Sequence, residues 1–160
     1  MAAQNGHETA IKVLLAGGAN PNQARTDDTT PLFIATQNGH ESLIKLLLAG
    51  GANPNQACTD TGSTPLIMAA WKGHVAVVRA LLAAADIDLH HVDDFGETAL
   101  IAAKKSKKEL KEDDEEGRRK FDEVIALLEQ KIAATAAPKP EAEAEASKGK
   151  GKGKGKKGGK

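Results

Sequence analysis

One segment of about 33 residues recurs along this 160-residue chain, and this repetition restricts the possible folds more than any other feature. Gln4–Glu8 recurs unchanged as Gln37–Glu41, and Leu14–Ala24 recurs unchanged as Leu47–Ala57, both displaced by 33 residues. Each copy is too small to bury its own apolar face, so the repetition predicts copies that stack around one continuous core. Further copies, displaced by 34 residues, start at Thr30-Pro31-Leu32, Thr64-Pro65-Leu66 and Thr98-Ala99-Leu100.

The repeated unit resembles the ankyrin repeat, because it contains Thr-Pro-Leu, then Ala, then Gly-His, then a leucine-rich run closed by Gly-Ala-Asn. The resemblance covers about residues 2–133 and implies an all-α repeat solenoid, an ankyrin-like stack of helix-turn-helix units with β-turn fingers. After Thr-Pro-Leu the family usually has histidine, whereas this chain has Phe33, Ile67 and Ile101, so the local hydrogen bond of that histidine is not expected. Repeats are expected near 1–29, 30–63, 64–97 and 98–133.

Repeat two shows how each unit is expected to fold. Thr30 can cap a short first helix that starts at Pro31, where a missing N–H is harmless. Gly39 then turns the chain, and the leucine-rich face of Glu41–Ala49 predicts a second helix. Gly50-Gly51 should end that helix, since glycine readily takes the left-handed conformation.

The ends of the array depart from this unit. Repeat one lacks its front, so only its second helix is expected, near His7–Ala16. The apolar residues of that helix match Ile44–Leu48 but have no repeat on one side. This indicates either a longer array or a contact at this face, and the sequence does not establish whether Met1 is the native start.

In repeat three, Ala84-Ala85 replace the glycines, which predicts a slightly longer helix. Repeat four carries a charged insertion near 104–120, expected to be a solvated helical or disordered loop.

Beyond the insertion, apolar residues return at the spacing of one helix face, which predicts a C-terminal helix that caps the stack. From Ala134 the composition changes to Ala, Pro, Glu, Gly and Lys, so 134–160 is predicted to be a disordered tail. Residues 1–135 hold 14 basic and 19 acidic side chains, whereas 136–160 hold 8 and 3, so body and tail are of opposite charge. The apolar residues of the capping helix are Phe121, Val124, Ile125, Leu128 and Ile132.

Composition favours an intracellular protein, cytoplasmic or nuclear. Cys58 is the only cysteine, so an intramolecular disulfide is impossible. The sequence has no apolar run long enough to cross a membrane and no secretory pattern, so no membrane partner is expected. The basic cluster Lys104–Lys108 can also be read as a nuclear import signal.

No residue pattern favours catalysis. His7, His40 and His74 recur with the repeat, which indicates one structural role at successive helix starts. His90–Asp94 contains metal-ligating residue types, but adjacent side chains of an extended segment point in opposite directions. Cys58 has no evident base, and the glycines of the tail follow no strand as a phosphate-binding loop requires. No catalytic residue, metal, cofactor or small-molecule substrate is therefore expected.

The resemblance instead implies a scaffold that binds a partner protein through its fingers and first helices, although the sequence does not identify that partner. Trp71 and Phe95 stand out among the implied contact residues, because exposed aromatic side chains often anchor interfaces; the alternative is that Trp71 packs over its neighbours. Carried over by position, the contact residues are Gln37 and Asn38 in repeat two, Asp60, Thr61, Ser63, Trp71 and Lys72 in repeat three, and Asp94, Phe95, Glu97 and Lys105 in repeat four.

The tail offers a second hypothesis, which is weak binding of nucleic acid or another polyanion. A flexible polycation attracts phosphate polymers without reading their sequence, and its affinity falls steeply with salt. No aromatic residue lies between the lysines, so selectivity for single strands is not implied. A passive solubility tail and a contact with the acidic body remain alternatives. The lysines concerned are Lys148, Lys150, Lys152, Lys154, Lys156, Lys157 and Lys160.

Overall fold

The structure is a computed structural model that describes residues 7–26 and 28–136. This part of the chain contains seven α-helices and no strand. Three helix-turn-helix pairs follow a lone second helix, as the repeats predict. The helices are α1 (Glu8–Ala16), α2 (Pro31–Gln37), α3 (Glu41–Ala49), α4 (Pro65–Lys72), α5 (Val75–Leu82), α6 (Ala99–Glu109) and α7 (Glu115–Ala136).

The helices form two layers around one core. The first helices α2, α4 and α6 pack on one another in sequence order, and so do the second helices α1, α3, α5 and α7. The predicted all-helical repeat fold is confirmed. None of the helices in the described part is long and apolar enough to cross a membrane. The largest fully buried apolar side chains are Leu32, Leu43, Ile44, Leu47, Leu66, Val77, Val78, Leu81, Val124 and Leu128.

The helix starts follow the local sequence signals. At the N-caps of α2, α4 and α6, a threonine hydroxyl accepts a hydrogen bond from the backbone N–H three residues later, at 3.2 to 3.4 Å. The second helices α1, α3 and α5 begin after His7, His40 and His74, which share φ near −80° and ψ near 78°. The three histidines thus occupy the same backbone position at successive helix starts, as the repeat predicts.

Connecting segments between the helix pairs form three fingers, and asparagine side chains tie each finger to the next. The Asn55 side chain donates to the backbone carbonyl of Asp86 at 2.7 Å and accepts from the N–H of Asp88 at 2.8 Å. Asn22 bonds in the same way to the backbone of the second finger. The segments are finger one (residues 17–26 and 28–30), finger two (50–64) and finger three (83–98).

The end of α5 differs from the expectation. The replacement of glycine by Ala84-Ala85 was expected to lengthen this helix, but α5 ends at Leu82, one residue earlier than α3 ends in repeat two. Asn55 holds the backbone of Asp86 and Asp88, four and six residues beyond the end of α5, whereas Asn22 holds Gly51 and Asn53, two and four residues beyond the end of α3. The replacement of the glycines therefore lengthens the link between the helix and the held part of the finger, not the helix itself.

The charged insertion is largely helical. α6 continues through the lysine run to Glu109, and α7 begins at Glu115 after a short loop. Lys104 bonds to Glu129 at 2.7 Å, and Lys107 bonds to Asp122, so charged side chains of α6 and α7 connect the two helices.

α7 caps the second-helix layer. It buries Phe121, Val124 and Leu128, and the other two predicted cap residues pack partly buried against the same core. The predicted capping face is confirmed. The helix extends through Ala136, three residues into the segment for which composition predicts disorder. Residues 137–160, with the seven predicted polyanion-binding lysines, lie outside the described residues.

At the other end, α1 leaves apolar side chains uncovered. Val13 is 67% exposed and Leu14 is 51% exposed, whereas Leu47, which corresponds to Leu14 in repeat two, is 1% exposed. The predicted open apolar face is thus present on α1.

Candidate functional site

Six of the eleven predicted contact residues line a single cleft of about 340 Å³ on the face formed by the fingers and first helices. Fingers two and three form one end of this cleft, and α4 and α6 form its sides. We call it the aromatic cleft, because two of its walls are aromatic side chains. The lining residues are Thr61, Ser63, Ile67, Met68, Trp71, Asp93, Phe95, Glu97 and Lys105.

Trp71 occupies the last turn of α4, and Ile67, four residues earlier, lies on the same side of the helix. Ser63 precedes the helix in finger two. Ser63 and Ile67 are buried, but Trp71 remains 47% exposed. Lys72 places its ammonium 4.7 Å from the centre of the Trp71 ring, within range of a cation–π interaction. The indole therefore faces the cleft rather than filling the core.

Phe95 lies near the tip of finger three and is 70% exposed. The buried Asp93 carboxylate holds this tip in place. One of its oxygens accepts from the backbone N–H groups of Phe95 and Glu97 at 3.0 and 2.9 Å, and the other accepts from the Ser63 hydroxyl at 3.2 Å. The buried Asp93 carboxylate, which accepts three hydrogen bonds, thus fixes the backbone that carries the exposed Phe95 side chain.

An ion pair forms part of the α6 side of the cleft. The Lys105 ammonium lies 2.5 Å from Glu97, whose side chain is mostly buried. The hydrogen bond to Glu97 and its negative charge raise the pKa of Lys105 above the ordinary lysine value. The aliphatic stem of Lys105 can contribute apolar surface while its charge remains paired.

Two predicted contact residues, Asp60 and Asp94, lie exposed in the turns of fingers two and three. The backbone N–H of Asp94 donates to the carbonyl of Thr61 at 3.1 Å, which joins these two turns. Both aspartates therefore stand at the finger end of the cleft, outside its lining.

Gln37 and Asn38 are not part of the cleft. They are exposed at the end of α2, one repeat away. The Asn38 side chain donates to its own helix at the Ile34 carbonyl, and the Gln37 carbonyl lies 3.4 Å from a ring nitrogen of His74. The structure thus places these two residues on a neighbouring part of the same surface.

Sequence reasoning missed three residues of the cleft. Ile67 and Met68 read as ordinary core positions of a first helix, although Ile67 replaces the family's polar histidine and so indicated an apolar floor. Asp93 was considered only as part of a possible metal group. An aspartate two residues before a turn tip commonly bonds to the backbone ahead of it, and that pattern was available in the sequence.

Cys58 and His91, the other residues considered for reactivity or metal binding, each contact a neighbouring polar group. The Cys58 sulfur is buried, 3.1 Å from the Thr61 hydroxyl. A ring nitrogen of His91 lies 2.8 Å from the Gly62 carbonyl. Within 7–26 and 28–136, no three His, Cys, Asp or Glu side chains are grouped so that they could hold a metal ion.

Comparison with known families agrees with this architecture. A family model described as ankyrin repeats in three copies matches residues 1–91, which is more than half of the chain. A search among curated proteins gave no significant match. Ankyrin repeats are generally modules for protein–protein interaction, and the family typically provides non-enzymatic scaffolds. With the repeated helix pairs and fingers described above, the match shows that this chain belongs to the ankyrin repeat family.

Proposed function

We propose that this protein is a non-enzymatic, intracellular scaffold that binds a partner protein on the surface of its fingers and first helices, with the aromatic cleft at the centre. The observation that carries the proposal is the exposure of Trp71 and Phe95 on one cleft. The chain has one tryptophan, three phenylalanines and no tyrosine. Two of these four aromatic side chains are exposed to water, where they do not stabilise the core. Exposed aromatic anchors of this kind commonly dominate the energy of an interface.

The size of the cleft is compatible with insertion of side chains from a protein partner. Small-molecule sites enclose roughly 300–1,000 Å³ and bury most of the ligand. The aromatic cleft lies at the lower end of that range. It therefore suits one or two inserted side chains, with the rest of the partner lying on the surrounding fingers and helices.

The test is affinity capture of partners on the full chain, followed by binding measurements with Trp71→Ala and Phe95→Ala. We expect each variant to lower the affinity for the partner by at least about tenfold, since anchor residues contribute about 2 kcal/mol or more to binding. Val13→Ala is the control, because it removes another exposed apolar side chain, 67% exposed, that lies on α1 and outside the cleft. Unfolding by urea should show that Trp71→Ala costs less than about 1 kcal/mol of stability. A loss of several kcal/mol would place Trp71 in the core and end the proposal.

Polyanion binding by the tail is the second candidate function. Seven lysines between 148 and 160 favour it, with the repeats as a secondary contact. Removal of residues 137–160 distinguishes the two functions. A partner lost with Trp71→Ala but retained after this deletion supports the scaffold. Binding of a labelled RNA oligonucleotide that falls steeply with salt and disappears with the tail supports the alternative.

A further inference from the structure

Charges around the aromatic cleft are separated by sign along its length. The exposed carboxylates of Asp60 and Asp94 stand at the finger end. Lys72 stands at the opposite end, at the last residue of α4. With a rise of about 1.5 Å per residue, the eight residues of α4 separate the two ends by roughly 10–12 Å. A ligand that lies along the cleft therefore meets negative charge at one end and positive charge at the other.

These charges are available to a ligand. Among the residues that the structure describes, none forms an ion pair with Asp60, Asp94 or Lys72. The contact with the Trp71 ring restricts Lys72 without neutralising it. Lys105 is already bonded to Glu97, so it adds less free charge at the same end.

The middle of the cleft favours an apolar side chain. Ile67, Met68, Trp71 and Phe95 form most of its surface. The carboxylate of Asp93 is the buried charge of the lining, but backbone N–H groups and the Ser63 hydroxyl already occupy its oxygens. A cationic side chain inserted here would lose its hydration and would have to compete with Ser63 and the backbone for Asp93, and with Lys105 for Glu97.

We propose that the aromatic cleft binds an extended peptide segment of a partner protein, with one large apolar side chain between Trp71 and Phe95, a basic residue toward Asp60 and Asp94, and an acidic residue toward Lys72. This inference rests on the proposed scaffold function and specifies the chemistry of the partner at that site. An extended chain advances about 3.3 Å per residue, so the two charged residues should be about three to four positions apart with the anchor between them.

The chain's own tail does not meet this description. Residues 137–160 contain only alanine, proline, lysine, glutamate, serine and glycine. None of these offers a large apolar side chain that could fill the space between Trp71 and Phe95. Residues 137–160 are therefore not the expected occupant, and the proposal is a segment of a partner protein.

The experiment selects peptides from a random dodecapeptide phage library on the immobilised full chain. We expect the enriched peptides to share one tryptophan, phenylalanine, leucine or methionine, with an acidic residue on one side and a basic residue on the other. A synthetic peptide of the most enriched sequence should bind Lys72→Glu and Asp94→Lys about two- to fivefold more weakly, as expected for exposed charge pairs. The same peptide with its two charges exchanged should recover affinity on the double variant Lys72→Glu/Asp94→Lys.

The controls separate failure of this inference from failure of the proposed function. Asp86→Lys reverses an exposed aspartate of finger three outside the cleft lining and should leave affinity within about twofold. Peptides that require Trp71 and Phe95 but show no charge preference would overturn the inference and retain the scaffold. Peptides indifferent to Trp71→Ala and Phe95→Ala, or no enrichment above a selection on the double alanine variant, would count against both.

Discussion

Asp93 shows, at the scale of one residue, how a buried carboxylate fixes the position of an exposed aromatic side chain. Its oxygens bind the backbone on both sides of the Phe95–Gly96 tip and the hydroxyl of Ser63 in the preceding finger. The same residue therefore shapes finger three and joins it to finger two. Sequence reasoning missed this role, although the turn pattern was present, because His90, His91 and Asp94 around Asp93 are residue types that also suggest a metal group.

Replacement of Asp93 should cost far more stability than replacement of its neighbour. Asp93→Ala leaves two backbone N–H groups and a buried hydroxyl without their acceptor, so we expect the free energy of unfolding to fall by about 2–3 kcal/mol. Asp94→Ala removes an exposed carboxylate one position away and should change it by less than about 0.5 kcal/mol. Urea titrations followed by circular dichroism measure both, and equal effects would contradict the assignment.

The ion pair of Lys105 with Glu97 predicts that Lys105 loses its proton at a higher pH than an ordinary lysine. Glu97 raises the pKa of Lys105 above the ordinary 10.5, so the stabilisation from this pair is complete below that pH and is lost as pH rises through the higher folded-state pKa. In an NMR titration, Lys105 should therefore deprotonate later than an ordinary lysine. Glu97→Gln should remove this delay while leaving Lys120, whose pKa is raised by Glu116, unchanged. A Lys105 titration that does not respond to Glu97→Gln would refute the pairing in solution.

At the scale of the helix, the bounds that could be predicted are those set by residues within one turn of the helix end. The starts of α2 and α4 were predicted from Thr-Pro, and the bounds of α3 from its leucine run and following glycines, because caps act within a few residues. The end of α6 could not be predicted in this way, although its start carries the same threonine cap. Lysine and glutamate favour helices but carry no apolar period, so the lysine run gives no local signal for the residue at which α6 ends.

Gly73, the C-cap of α4, packs against Phe121 of the capping helix α7, and substitution of Gly73 tests that contact. Gly73 has φ of 69°, and an added Cβ would lie 3.1 Å from the Phe121 ring. Gly73→Ala should therefore destabilise the chain by about 2–3 kcal/mol, through backbone strain and displacement of Phe121. Gly96→Ala is the matched control, since Gly96 has φ of 75° but no atom within 4 Å of an added Cβ, and it should cost about 1–2 kcal/mol. If both cost the same in chemical denaturation, Phe121 moves freely and the contact is unimportant.

The whole molecule contains the same eleven-residue sequence in two different surroundings. Leu14–Ala24 and Leu47–Ala57 are identical, but Leu14 lies on the open face of α1 and Leu47 is enclosed between α1 and α5. The difference in burial therefore arises from neighbouring repeats, as nearest-neighbour models of repeat proteins require.

This internal copy gives a direct measurement of what a neighbouring repeat contributes. Leu47→Ala should lower the free energy of unfolding by about 3–4 kcal/mol, in the range for buried leucine. Leu14→Ala, the same change in the same local sequence, should lower it by less than about 1 kcal/mol. Thermal or urea unfolding of the two variants decides the matter. Similar losses would mean that Leu14 is covered in solution.

The position of Trp71 has an optical consequence. It is the only tryptophan, the chain has no tyrosine, and its indole is about half exposed on the aromatic cleft. Nearly all near-ultraviolet emission of the unmodified protein must therefore come from this one ring. When a partner side chain covers it, the emission should move to shorter wavelength, so the intrinsic fluorescence of the chain reports occupation of the cleft without any label.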